Sequence, residues 1–150
     1  MSELKDGIAA GIKESMKSGD KVRLSTLRML STAVKNREVE VLHELSDDEV
    51  REVAVREAKR RRESIEAFEA GNRPELVAKE KAELEALEAY LPEQLSDAEV
   101  DALIDEAITA TGASSPKEMG KVMGMVMAKA KGKVDGTAVQ AKVKAKLGGE

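Results

Sequence analysis

Only two aromatic side chains, Phe68 and Tyr90, occur among the 150 residues of this chain. Sheet-rich architectures draw on aromatics for cross-strand packing, so a core here must be assembled from Leu, Ile, Val, Met and Ala, and an all-α fold is favoured. At this length roughly 68–70% of the unfolded surface can be buried, enough for one domain or two small ones. The 41% of hydrophobic residues exceeds what disordered chains carry, and 11 glycines with three prolines exclude a collagen-like or low-complexity chain. There is no cysteine, hence no disulfide framework, thiolate metal site or cysteine nucleophile. The opening segment, residues 1–16, is charged throughout, which fits neither a signal-peptide core nor a membrane span. The expectation is a soluble, cytoplasmic protein that does not engage membranes.

Apolar periodicity and cap signals predict seven helices. Ser2 opens the first, with Leu4, Ile8, Ile12 and Met16 as its stripe and Gly19 as its stop. Asp20 caps the second, which carries Leu27, Leu30, Val34 and Val41 on one arc and is expected to run to about Glu44. A capping box, Ser46-Asp47-Asp48-Glu49, starts a third whose face holds Val50, Val53, Ala54, Ala58, Ile65 and Phe68 as far as Gly71. Pro74 suits the first turn of a fourth, which presents Leu76, Val77, Leu84, Leu87 and Leu91 inward and cannot pass Pro92. Further starts fall at the capping boxes Ser96-Asp97-Ala98-Glu99 and Ser115-Pro116-Lys117-Glu118, and at about Asp135, where Val139, Val143 and Leu147 mark a short last helix.

The segment Pro92-Glu93-Gln94-Leu95 is the expected boundary between a four-helix subdomain, 1–95, and a three-helix subdomain, 96–150. Charge changes across it. Residues 96–150 carry eight acids and eight lysines, so the net charge of −4 resides entirely in the first 95 residues. The second part is itself polarised: Asp97, Glu99, Asp101, Asp105 and Glu106 cluster on its first helix, while all eight lysines lie between Lys117 and Leu147.

Few residues suggest catalysis. The lone His43 has no partners for a zinc set and stands near a helix end, where histidines cap carbonyls. No phosphate loop occurs; Lys131-Gly132-Lys133-Val134-Asp135-Gly136 has the wrong spacing and no preceding strand. Neither a cofactor nor a metal is expected. Arg56, Lys59 and Arg60 form a secondary basic patch on the third helix, although Glu52–Arg56 and Glu57–Arg61 have the spacing of exposed i, i+4 ion pairs, and that solvated-face reading is favoured. Glu57 and Arg61 nevertheless fall inside the apolar arc of that helix, and an overhang of its middle beyond the core is preferred to a buried pair.

Met119, Val122, Met123, Val126, Met127 and Ala130 share one helical arc and are expected in the core. Gly120 and Gly124 flank that stripe, at a cost of roughly 1 kcal/mol each relative to Ala, which implies that a neighbour, foremost another helix, approaches closely there. On the opposite arc Lys121, Met125 and Lys129 line up at i, i+4, i+8 and lead into Lys131-Gly132-Lys133. Lysines near a helix C-terminus stabilise the macrodipole. The same row, with Lys117, also suits a phosphate-bearing partner, and Met125 would be its exposed, adaptable apolar contact.

At these residues the chain resembles the GatB/YqeY family, and in particular its stand-alone YqeY-like proteins. The resemblance is carried by Leu27-Arg28-Met29-Leu30 with Lys35-Asn36 and Glu38-Val39-Glu40, by Arg61-Arg62-Glu63-Ser64-Ile65-Glu66-Ala67-Phe68, by Tyr90-Leu91-Pro92, and by Gly120-Lys121-Val122-Met123-Gly124 and Lys131-Gly132-Lys133-Val134-Asp135-Gly136. It implies two helical subdomains, the second similar to the tail of the B subunit of glutamyl/aspartyl-tRNA amidotransferase, and through that tail a role with tRNA. The family is commonly labelled a carbon–nitrogen ligase with glutamine as amido-nitrogen donor. This chain shows no nucleophile or phosphate loop for such a reaction. It is therefore expected to bind tRNA or structured RNA through Lys117, Lys121, Met125, Lys129, Lys131 and Lys133, with close backbone approach at Gly120, Gly124 and Gly132. Catalysis is at most accessory to an amidotransferase, and the alternative is an adaptor for a tRNA-processing enzyme. With only two aromatics and no stacking platform, folded RNA is favoured over single strands.

Overall fold

A computed structural model describes residues 2–148 and shows seven α-helices, with no strand among the described residues. The chain divides into two compact units, Met1–Leu91 and Pro92–Glu150; the sequence reading places its junction after Leu95.

The first unit contains α1 (Glu3–Ser18), α2 (Lys21–Val41), α3 (Asp47–Ala70) and α4 (Pro74–Leu87), the last followed by a 3-10 turn, Glu88–Tyr90. The helix starts follow from their caps. Ser2 Oγ accepts from the Lys5 amide, Asp20 from the Arg23 amide, and Ser46 and Glu49 satisfy each other's amides. Asp47 ties two starts together, because its carboxylate accepts from Ser2 Oγ and from the Leu4 amide.

α2 ends at Val41 rather than at about Glu44. The carboxylate of Glu38, near its end, reaches forward to the Leu45 amide at 2.9 Å while holding Lys5 Nζ at 2.7 Å. This pins the connection, and the chain reverses through Leu42 in the left-handed region at φ 61°.

Ile8, Leu27, Leu30, Val34, Val50, Ala54, Leu87 and Tyr90 make the core of this unit. α1 keeps most of the predicted stripe, with Ile8 buried and Leu4 and Ile12 packed against the core, but it also buries Gly11 and Ser15, while Met16 is 57% exposed. Tyr90 explains the burial at Gly11. A Cβ on Gly11 would stand 2.7 Å from Tyr90 Oη and 2.8 Å from Leu27 Cδ1, so the phenol occupies the place of a side chain there. Ile65, Phe68, Leu76 and Val77 are only half-buried, since the buried run of α3 stops at Arg61.

The second unit comprises α5 (Asp97–Thr111), a 3-10 turn at Pro116–Glu118, α6 (Met119–Ala130) and α7 (Gly136–Lys146). Capping boxes at Ser96–Glu99 and Ser115–Glu118 and the Asp135 side chain start these elements. Val100, Ile104, Val122, Val126, Ala130, Val139 and Val143 form its core, with Met119, Met123 and Met127 partly buried at the margin. The entering chain is fastened to the α6–α7 turn: the Leu95 amide donates to the Lys133 carbonyl (2.8 Å) and Gln94 Nε2 to the Gly132 carbonyl (2.9 Å).

Candidate functional site

The acidic helix α5 divides the lysines of the second unit into two groups. Lys142 lies 3.2 Å from Asp101, Lys146 2.9 Å from Asp105, and Lys129 2.6 Å from Glu106. The hydrogen bond that Lys146 donates to Asp105 raises the pKa of Lys146 above its ordinary value. Lys117, Lys121, Lys131 and Lys133 are exposed and make no ion pair among the described residues. Residues 121, 124 and 128 share one exposed face of α6, with exposed Lys117 in the preceding 3-10 turn and exposed Lys131 at the C-cap. That face therefore begins at Lys121 and carries Gly124 and Ala128, with Lys117 just before the helix and Lys131 just after it.

Several expected details change. Met125 is half-buried and packs against the core of its unit, so it is not the exposed contact of a lysine row. Nothing approaches Gly120 or Gly124: a Cβ on either would have no atom within 4 Å, which removes the neighbouring helix expected there. The helix has turned further than the lysine spacing suggests, and the glycines face solvent. Gly132 is glycine for a different reason, a left-handed turn at φ 77°.

The Glu57–Arg61 pair is buried, with 7% and 5% exposure, and does not overhang the core. Arg61 Nη1 donates to Glu57 Oε1 (3.0 Å) and to the Glu57 carbonyl (3.2 Å), while Nη2 lies 3.5 Å from Glu83 Oε1 and 3.7 Å from Met29 Sδ. The other Glu57 oxygen accepts from Arg60 Nη1 at 3.1 Å. Satisfaction by three elements is what allows the charges inside, although Arg61 Nε remains without an acceptor. Nearby, burial and the Glu83 carboxylate raise the pKa of Glu80. The expected Glu52–Arg56 ion pair does not form among the described residues, and Arg56 and Lys59 are exposed beside Arg60. His43 lies past the end of α2, with Nδ1 2.8 Å from the carbonyl of Glu44 and Nε2 3.5 Å from Glu49, so the carbonyl it meets belongs to the following loop and not to the helix.

Sequence reasoning misses one feature. Between α2 and α3 lies a cleft of about 540 Å³ whose polar lining includes Lys21, Ser25, Arg28, Thr32, Asn36 and Arg60. Positions 21, 25, 28, 32 and 36 repeat at helical spacing, a polar stripe opposite the apolar one, and that was the available signal. Among the described residues no group of three or more His, Asp or Glu is placed to hold a metal, and no helix is long and apolar enough to cross a membrane.

Two separately packed helical units, with charged surfaces and a buried ion network, define an all-helical protein. The chain belongs to the YqeY-like protein family, whose model matches residues 5–147. It is 31% identical over 108 residues to altered inheritance of mitochondria protein 41, mitochondrial, of Lachancea thermotolerans, covering 70% of this chain and 58% of the relative. The protein of that name from Kluyveromyces lactis is 34% identical over 118 residues, 74% of this chain and 63% of the relative. That from Pyrenophora tritici-repentis is 29% identical over 103 residues, covering 67% and 57%. The chain thus spans less than two thirds of these relatives. Their mitochondrial designation overturns the cytoplasmic expectation, which rested on N-terminal charge alone.

Proposed function

We propose that this protein is a non-catalytic helical module that binds folded RNA, tRNA foremost, through Lys117, Lys121, Lys131 and Lys133. The resemblance of its second unit to the amidotransferase B-subunit tail gives the ligand class. The observation that carries the reading is the exposed face of α6, where lysines outside any ion pair flank Gly124 and Ala128. A smooth centre between cationic ends lets a sugar-phosphate backbone come close while each end meets a phosphate. Lys129 joins them on binding, because its pair with Glu106 is exposed on both sides and a phosphate competes with it readily.

Filter binding of a tRNA transcript across a salt series tests this. Four phosphate contacts predict a plot of log affinity against log salt with a slope of roughly −3 to −4, and each charge removed should reduce it by about one. Binding that ignores salt, or its absence at low salt, would sink the proposal.

A further inference from the structure

The α2–α3 cleft in the first unit is unassigned by the reading above, and its chemistry is as consistent as that of the lysine face. Along α2, Lys21, Ser25, Arg28, Thr32 and Asn36 all present donors to it, and Arg60 of α3 stands on the opposite wall. Lys21 and Arg28 make no ion pair among the described residues. The one carboxylate in the lining, Glu57, is occupied by Arg60 and by the buried Arg61, so it does not cancel the remaining cations. The site is locally positive in a chain of net charge −4.

Its shape selects the ligand. The fifteen steps along α2 from Lys21 to Asn36 extend about 22 Å at 1.5 Å per residue. Successive donors are about 4.5–6 Å apart along that axis, comparable to the separation of neighbouring phosphates on a nucleic-acid strand. A single phosphate would use one or two of these groups; a backbone uses the whole line. Arg28 supplies a planar fork for a phosphate, the hydroxyls and amide supply neutral donors, and Met29, 47% exposed in the same lining, offers an adaptable apolar surface to a sugar. We infer that this cleft is a second RNA-backbone contact, so that each unit of the protein carries its own. For its ligand class the inference rests on the RNA reading above, but its residues are independent of the lysine face.

Binding of the full chain to a labelled tRNA transcript should be measured over a salt series for the wild type, for R28E and K21E, and for the K121E/K131E variant. R28Q, with melting curves for every variant, separates lost charge from lost fold. Expected are affinities about tenfold lower for R28E at low salt, a salt slope shallower by about one for R28Q, and a further loss when the cleft and lysine-face changes are combined. If R28E and K21E bind as the wild type does while K121E/K131E weakens binding, the cleft assignment is wrong and the RNA reading stands. If only the cleft variants weaken binding, the cleft stands and the lysine face falls. No binding by the wild type overturns both. Competition by polyglutamate equal to that by unlabelled tRNA would reassign the cleft to acidic protein segments. Competition by millimolar inorganic phosphate alone would reduce it to a single-anion site.

Discussion

Arg61 Nη1 lies 3.0 Å from the carboxylate and 3.2 Å from the carbonyl of Glu57, one turn earlier on α3, and both residues are almost completely buried. Removing Glu57 leaves the buried guanidinium of Arg61 with only the longer contact to Glu83 at 3.5 Å. E57A should therefore cost about 3–5 kcal/mol, whereas the double variant E57L/R61M, which removes both charges, should lose much less. Urea unfolding of the two variants checks this. An E57A protein as stable as the wild type would show that Glu83 alone satisfies the guanidinium.

The contrast between glycines is equally specific. Gly11 lies against Tyr90 and Leu27, so G11A must displace the phenol and should destabilise by about 1–3 kcal/mol. Gly124 faces open space in mid-helix, so G124A should stabilise by about 0.5–1 kcal/mol. If RNA approaches that face, G124A should also weaken RNA binding although the protein is more stable. Thermal melts and filter binding on the same preparations give both readouts, and a G124A protein with unchanged affinity would remove the close-approach argument.

Helix starts were legible in the sequence because a cap is local: Ser46 and Glu49, or Ser96 and Glu99, lie within one turn and carry their own hydrogen-bond logic. The all-helical class followed from composition for a similar reason. Faces were less legible, because tertiary contacts select among neighbouring arcs. Tyr90 comes from the far end of the first unit to fill the space beside Gly11, so α1 buries Gly11 and Ser15 as well as the predicted Ile8. Glu83, on another helix, helps make burial of Arg61 tolerable. At the candidate site the sequence supplied the lysines, but Glu106 decides that Lys129 is held while Lys121 is not, and that depends on how α5 packs against α6.

Leu42 adopts φ 61° and is 89% exposed, so its side chain gives little packing in return for a left-handed backbone. Glycine accepts this conformation without the Cβ clash. L42G should raise stability by about 0.5–1 kcal/mol, less than the full strain because glycine also gains freedom when unfolded. Denaturant midpoints at an unchanged slope test the expectation, and a lower midpoint for L42G would show that Leu42 makes a stabilising contact.

Acid should unfold the first unit through particular carboxylates. The hydrogen bond from Lys5, followed by that from the Leu45 amide, lowers the Glu38 pKa; Ser2 and then the Leu4 amide lower that of Asp47. In each case the unfolded chain takes up protons at a higher pH than the folded one. Their contribution is present above the unfolded values, about 4, and is lost as pH falls through the folded values. Glu80 has the opposite sign: burial raises its pKa, so the protonated form favours folding and that contribution disappears as pH rises through the folded value. E38Q should be less stable than the wild type at pH 7 and should lose less stability on acidification, whereas E80Q should be more stable at pH 7. Urea midpoints measured from pH 7 to 3 separate these outcomes, and an E38Q profile parallel to the wild type would remove Glu38 from the acid transition.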